Sequence, residues 1–181
     1  MAHLASNQTP SHQQIVTTDQ YHYLAAQRQA IAQTKASYGT AMVVSLELYL
    51  PQGSLTPSLS RSNDMIERFL ECLQGSIDHA MISRSKLEGH PLHCRVRHAC
   101  QCIMDDDEQP AFEMTLCLNP DAFNGLGLLD MTGRGLMSLI KQAWAKTLNI
   151  PLIQAAWLVG YPSVYRCHIY LSIFSMQLYF L

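Results

Sequence analysis

Hydrophobic and polar residues alternate along two stretches of the chain. The first is MVVSLELYLP at 42–51, where Pro51 ends the alternation. The second is PAFEMTLCLN at 110–119, with Phe112, Met114, Leu116 and Leu118 on one face and Ala111, Glu113, Thr115 and Cys117 on the other. Because successive strand residues point to opposite faces, we predict two strands, the second of them half buried.

Apolar residues at helical spacing predict three helices. The first covers about 20–36, with Thr18 or Asp19 as its cap and Gly39 after its end. The second begins at about Asn63 and has the clearest apolar stripe, which consists of Ile66, Phe69, Leu70, Leu73 and Ile77. The third begins at Thr132 and is predicted to face the core through Leu136, Leu139, Ile140, Ala143 and Trp144.

The remaining apolar runs complete the predicted fold. HCRVRHACQCIM at 93–104 reads as a strand, and the acidic turn after it leads to the strand at 110. Two or three further strands are predicted near the end, at about 153–160, 164–172 and 174–180. Strands in hairpins with helices between the groups indicate an α+β fold, a mostly antiparallel sheet with flanking helices. Trp144 and Trp157 lie in apolar patterns and are predicted to be core residues.

Composition limits the location and the possible partners. The 181 residues suit one domain, predicted at 18–181 after a disordered polar arm at 1–17. The arm does not resemble an export signal, and polar residues interrupt the apolar end before it reaches a membrane-spanning length, so we predict a cytoplasmic protein with no membrane partner. With 12 Lys and Arg against 14 Asp and Glu, any DNA contact must be a local patch. The six cysteines lack disulfide spacing and are predicted to be reduced thiols.

Four segments carry a resemblance to known proteins. VVSLELYLP, PAFEMTLCLNPDAFNGLG, LMSLIKQAW and LVGYPSVY are similar, in order and spacing, to landmarks of the inovirus-type gene-two replication proteins and of the YagK/YfjJ C-terminal domain family of prophages. The resemblance covers roughly residues 20–166. It implies a replication-initiator fold, a ferredoxin-like or RRM-like sandwich of the His-hydrophobic-His type that nicks one DNA strand. It also implies a divalent metal on the sheet and a tyrosine that becomes joined to the 5′ phosphate.

The residues at the matching metal positions depart from that pattern. The family's two histidines would fall on Ala111 and Glu113, while Glu47 stands at its acidic position and Tyr49 where a histidine often follows. Ala111 cannot bind a metal. If their strands are neighbours, Glu47 and Glu113 could form a two-carboxylate site for Mg²⁺ or Mn²⁺. The alternative is that both glutamates are solvated on an open face of the sheet.

The tyrosine of the family lies on a helix downstream of the part that matches LVGYPSVY. Tyr165 and Tyr170 are the candidate nucleophiles in this chain, and Tyr179 follows them. The alternative for each is a strand or core residue with its hydroxyl at the edge. Because the paired histidines of the family are replaced and its tyrosine helix is not matched in this chain, we expect a protein that does not nick DNA and needs no cofactor. Mg²⁺ or Mn²⁺ would be the cofactor of an active form.

Basic residues near 93–104 are candidate contacts to phosphate. The predicted strand presents three of them on one face, and two lie in the predicted loop before it: Arg84, Lys86, His93, Arg95 and Arg97. The alternative is an ordinary solvated surface. His90 and Cys94 complete a zinc-like spacing with His93, but no second pair is placed to complete a tetrahedral set.

The sequence supports three hypotheses of function. The first is an inactive relative of a phage or prophage replication initiator that binds single-stranded DNA, or the replication or defence machinery of phage and host. The second is an active, metal-dependent endonuclease that nicks single-stranded DNA through Glu47 and Glu113. The third is a phage-encoded inhibitor that binds a phage or host protein through the apolar C-terminal segment, which could also form a homodimer.

Overall fold

The computed structural model describes residues 18–52, 59–104, 109–123 and 135–168. The elements follow in the order α1 (Thr18–Tyr38), β1 (Thr40–Tyr49), α2 (Leu59–Glu88), β2 (Arg97–Met104), β3 (Pro110–Leu118), α3 (Leu136–Leu148), α4 (Leu152–Ala155) and β4 (Val159–His168). The predicted α+β class is confirmed. Several predictions concern residues outside the described ranges. They are the arm at 1–17, the helix start at Thr132, the candidates Tyr170 and Tyr179, the strand at 174–180 and the C-terminal segment of the inhibitor hypothesis.

The described strands form one sheet in the order β2-β3-β1-β4, and all three pairings are antiparallel. β1 and β3 are therefore the inner strands. The register of β1 against β4 shifts between Ser45 and Glu47, where β4 carries Pro162. Because proline has no N–H to donate and a bulge increases the local twist, the pairing of β1 with β4 is interrupted at this point.

One face of the sheet carries the main core. The predicted inward residues of β1 and β3 pack there against α2 and α3. Trp144 of α3 is fully buried at the centre, with edge-to-face contacts to Phe69 and Phe112 at centroid distances of 5.7 and 6.2 Å. Its indole N–H donates to the carbonyl of Tyr49 at 2.9 Å, so the core tryptophan also fixes the end of β1.

The second face is covered at one end by α1, so the prediction that β3 is half buried is wrong. Thr115 and Cys117 are fully buried under the helix. The Thr115 hydroxyl is hydrogen-bonded to the hydroxyl of Tyr23 at 2.9 Å and accepts from the Gln27 amide at 2.9 Å. Ala30, whose side chain is a single methyl group, packs against Cys117 in the same contact. This contact is polar and small rather than an apolar stripe, which explains why the apolar periodicity did not reveal it.

Two further predicted boundaries are corrected. The second helix continues to Glu88, so Arg84 and Lys86 lie in its last turns rather than in a loop. The strand predicted at 93–104 begins only at 97, because Gln74 of α2 occupies the backbone groups before it: its side chain accepts from the Val96 N–H at 2.8 Å and donates to the Cys94 carbonyl at 2.9 Å.

The apolar run predicted as a strand at 153–160 forms α4 and a 3₁₀ turn over Ala156–Leu158 instead. Asn149 ends α3 in the left-handed conformation, with φ of 54°, and Pro151 then starts the short helix. The prediction that Trp157 belongs to the core is also wrong, since 85% of this residue is exposed. No helix among the described residues combines the length and the apolar character needed to cross a membrane.

Candidate functional site

A row of polar side chains crosses the part of the second face that α1 leaves open. Gln101 of β2 is opposite Glu113 of β3, Glu113 is opposite Glu47 of β1, and Glu47 is opposite Gly160 of β4. We call these four residues the carboxylate row. The three side chains are half-buried. The structure therefore brings together the two glutamates that the sequence proposed as metal ligands.

Neutral donors already engage both carboxylates of the row. The Gln101 amide donates to Glu113 Oε2 at 2.5 Å, and the Tyr49 hydroxyl donates to Glu47 Oε2. The Tyr49 ring lies over Gly160, where an added Cβ would be only 2.7 Å from the ring carbon Cε2. Glycine at this position is therefore what allows the tyrosine to reach Glu47.

The donor set differs from the metal site that the resemblance implied. Ala111, at the place of one family histidine, is fully buried and offers no ligand atom. Within the described ranges, no group of three or more His, Cys, Asp or Glu side chains is placed to hold a metal ion. The row supplies two carboxylates and an amide, which do not fit a site built on paired imidazoles. Such oxygens suit only a hard cation that retains most of its water or bridges to phosphate.

The structure does not bring Tyr165 to the carboxylate row. Tyr165 pairs with Val43, four residues along β1 from Glu47, which is a separation of roughly 13 Å at about 3.3 Å per strand residue. Burial raises its pKa, and the nearby thiols of Cys117 and Cys167 raise it further. The phenol that contacts Glu47 belongs to Tyr49, which sequence reasoning had considered only as a substitute for a histidine. The sequence signal that could have identified Tyr49 as this partner was its position two residues after Glu47, on the same face of the strand.

Arg97 lies on the same face at the other end of β2, beside the last turn of α1. Its Nη2 donates to Ser37 Oγ at 2.7 Å, and its guanidinium carbon is 5.9 Å from the centre of the Tyr38 ring. Its other amino group, Nη1, is buried without a hydrogen-bond partner among the described residues. The Tyr38 hydroxyl accepts from the Arg95 N–H at 3.0 Å, and the Arg95 side chain is exposed. We call Ser37, Tyr38, Arg95 and Arg97 the arginine corner.

The other predicted phosphate contacts lie apart from this corner. Arg84 is paired with Glu88 at 2.6 Å and also donates to the carbonyl of Ala122, so its charge is largely compensated. Lys86 and His93 line a groove of about 290 Å³ between α2 and the segment before β2. The structure thus divides the five predicted residues: Lys86 and His93 share the groove, and Arg97 lies at the corner with Arg95. Arg95 joins the corner through its backbone N–H and also lines a groove with Glu71 and Gln74 of α2.

The zinc-like spacing does not form a site in the described part of the chain. His90 lies 3.7 Å from Glu88, whereas Cys94 is buried. Burial raises the pKa of the Cys94 thiol to about 11, which opposes formation of the thiolate that zinc requires.

Comparison with known proteins gives two matches. Residues 5–172 match the family described as the YagK/YfjJ C-terminal domain. The chain is also similar to the uncharacterized protein YfjJ of Escherichia coli strain K12, with 28% identity over 99 residues that cover 54% of this chain and 48% of YfjJ. The chain thus spans about half the length of the curated relative it matches. No solved structure matches the chain.

Proposed function

The chain belongs to the YagK/YfjJ C-terminal domain family, and from this premise we propose that it binds single-stranded DNA on a replication-initiator-like sheet without cutting it. In this proposal the arginine corner contacts phosphate and the carboxylate row is a remnant of a metal site. The fuller setting, as a phage or prophage protein related to the inovirus replication proteins, is part of the same proposal. It rests on the order of the four matching segments.

The observation that carries the proposal is that the Arg97 guanidinium is held in place while one of its amino groups has no hydrogen-bond partner among the described residues. Its guanidinium is oriented by Ser37 and Tyr38 before any ligand arrives, and it keeps one buried donor without a partner. Buried donors in folded proteins are almost always satisfied, so an unsatisfied one calls for an acceptor. The ion pairs found among the described residues involve Glu88 with Arg84 and His90, and neither Arg95 nor Arg97 takes part in one. The exposed Arg95 side chain can contact a phosphate oxygen directly, whereas Arg97 would have to rotate its buried Nη1 outward to do so.

Two features support binding without cleavage. Ala111 removes one metal ligand of the family pattern, and the remaining carboxylates are held by Tyr49 and Gln101. A cation that entered the row would have to displace at least one of these hydrogen bonds. Arg97 lies four strand residues from Gln101, the residue of β2 opposite Glu113, so phosphate bound at the arginine corner would be roughly 15 Å from the carboxylates.

The test is equilibrium binding of a fluorescein-labelled single-stranded oligonucleotide, followed by anisotropy over a range of salt concentrations. The double variant Arg95→Ala/Arg97→Ala should bind more weakly, and its log–log salt slope should be shallower by about 1.4, at roughly 0.7 per phosphate contact on a single strand. Arg68→Ala, an exposed arginine on α2, is the matched control and should behave as the unmodified protein. An unchanged slope in the double variant contradicts the proposal.

A second candidate function is metal-dependent nicking, favoured by the direct pairing of Glu47 with Glu113 beside the Tyr49 phenol. Here Mg²⁺ or Mn²⁺ would bind the two carboxylates and polarise a phosphate. A single-stranded oligonucleotide incubated with Mn²⁺ would then give a cleaved product and a protein–DNA adduct, and Glu113→Gln would abolish both. Salt-sensitive binding with no product and no adduct supports the first function over this one.

A further inference from the structure

Trp157 presents its indole to solvent from a fixed piece of backbone. It is 85% exposed, and Ile153, four residues earlier, is 75% exposed. Ala155 on one side is fully buried, and Val159 on the other belongs to the main core. Tryptophan is usually well buried in folded proteins. An exposed indole on an anchored turn is therefore prearranged for contact with something outside the described fold.

The distribution of charged residues along the chain favours a polyanion as the partner that Trp157 contacts. All 14 acidic residues of the chain lie at or before Asp130, whereas four of the 12 basic residues follow it: Arg134, Lys141, Lys146 and Arg166. The formal charge is therefore +4 over residues 131–181 and −6 over the rest, which together give the net −2. Lys146 is exposed in the last turn of α3, directly before the turn that leads into α4. Charge asymmetry between two parts of a sequence suggests contact with nucleic acid. Of these basic residues Arg166, opposite Met42, lies at the other end of β4 from Trp157.

We propose that Trp157 is a stacking platform for a base of single-stranded nucleic acid, an inference that rests on the function proposed above. In the described part of the chain from α4 onward, the exposed large apolar side chains are Trp157, Ile153 and Leu152. Three side chains are too few for a standard protein interface, which buries about 800 Å² on each partner. One indole face, in contrast, matches one base, and such stacking needs no particular base sequence.

The position of Trp157 would also allow one single-stranded DNA molecule to contact both Trp157 and the arginine corner. Leu48 pairs with Val159, so Trp157 lies just beyond the Tyr49 end of the sheet, while Arg97 lies at the other end on the far edge strand. Six strand residues and three strand spacings separate these corners, which is on the order of 25 Å. Single-strand binding proteins of other folds span roughly 4–16 nucleotides per domain, enough to bridge such a distance.

The intrinsic fluorescence of the full chain tests the inference directly. The chain has two tryptophans, and the other, Trp144, is fully buried and serves as an internal reference. Titration with oligo-dT should quench the emission of Trp157, and Trp157→Phe should remove that change while leaving the emission of Trp144. Trp157→Ala should weaken binding of oligo-dT roughly 5- to 150-fold, the range of one base stack. Tyr21→Ala, which removes an exposed aromatic side chain on α1, is the matched control.

The outcomes separate this inference from the proposed function. If oligo-dT binds in a salt-sensitive way but the emission is unchanged and Trp157→Ala binds equally tightly, the stacking platform is wrong and DNA binding stands. Equal weakening for duplex and single-stranded DNA also overturns the platform, because the bases of a duplex are already stacked. If no oligonucleotide binds at low salt, the proposed function fails and the inference fails with it.

Discussion

Replacing Thr115 by valine should destabilise the protein, because its hydroxyl holds α1 on the sheet. Valine keeps the branched shape but lacks the hydroxyl, so the Tyr23 hydroxyl, 2.9 Å away, loses its partner. Tyr23 is only 6% exposed, and an unsatisfied buried donor costs about 1–3 kcal/mol. Gln27, which also contacts the hydroxyl, is half-buried and can turn to water. We therefore expect the free energy of unfolding to fall by about 2 kcal/mol, most of it from Tyr23.

Urea unfolding followed by circular dichroism measures this change, which corresponds to a fall in Tm of roughly 4–8 °C for a chain of this size. Thr147→Val is the matched control, because the Thr147 hydroxyl donates within α3 to the Ala143 carbonyl, which also accepts the helix hydrogen bond. The double variant Tyr23→Phe/Thr115→Val should recover most of the lost stability, since it removes both polar groups. If Thr115→Val is as stable as the control, the polar contact does not hold α1 and this reasoning is refuted.

Three further outcomes are expected from the same structure. Gly160→Ala should displace the Tyr49 ring and lower the free energy of unfolding by about 1–3 kcal/mol, as overpacking does; an unchanged Tm would contradict this. The exposed Cys102 should react with a thiol reagent at pH 8 before the fully buried Cys117, whose pKa burial raises to about 12; mass spectrometry of partly labelled protein gives the order. Burial also raises the pKa of Tyr23 from 10.0 to about 12, so the folded state keeps a proton that the unfolded state loses. Stability should therefore decline as the pH rises from 10 towards 12, and less so in Tyr23→Phe.

The sequence predicts the sheet well because its signals are local. Alternation in β1 and β3 identifies which residues face the main core, and the stripe from Ile66 to Ile77 identifies α2. Glu47 lies opposite Glu113 because β1 and β3 are neighbours in the sheet. The alternation of residues within each strand does not show which strands are neighbours. The family resemblance supplied the reason to compare the two glutamates.

The parts that the sequence does not predict depend on contacts between distant residues. α1 covers the second face through the hydrogen bonds of Tyr23 and Gln27 to Thr115 and through the packing of Ala30. The buried side of α1 is therefore largely polar or small, and it leaves no apolar stripe in the sequence. A short apolar run does not distinguish a strand from a short helix, and the run before β4 became α4 with Trp157 outside. The arginine corner depends on Ser37 and Tyr38, which are 60 and 59 positions before Arg97 in sequence.

The inner position of β1 and β3 affects how the open face can respond to a ligand. Both strands are paired along both edges, so their amides should exchange with solvent last, near the limit set by global unfolding. Glu47 and Glu113 are carried by these two inner strands. We therefore expect the spacing between their α-carbons to change little during binding, so that the face adapts through rotation of the Gln101 and Tyr49 side chains.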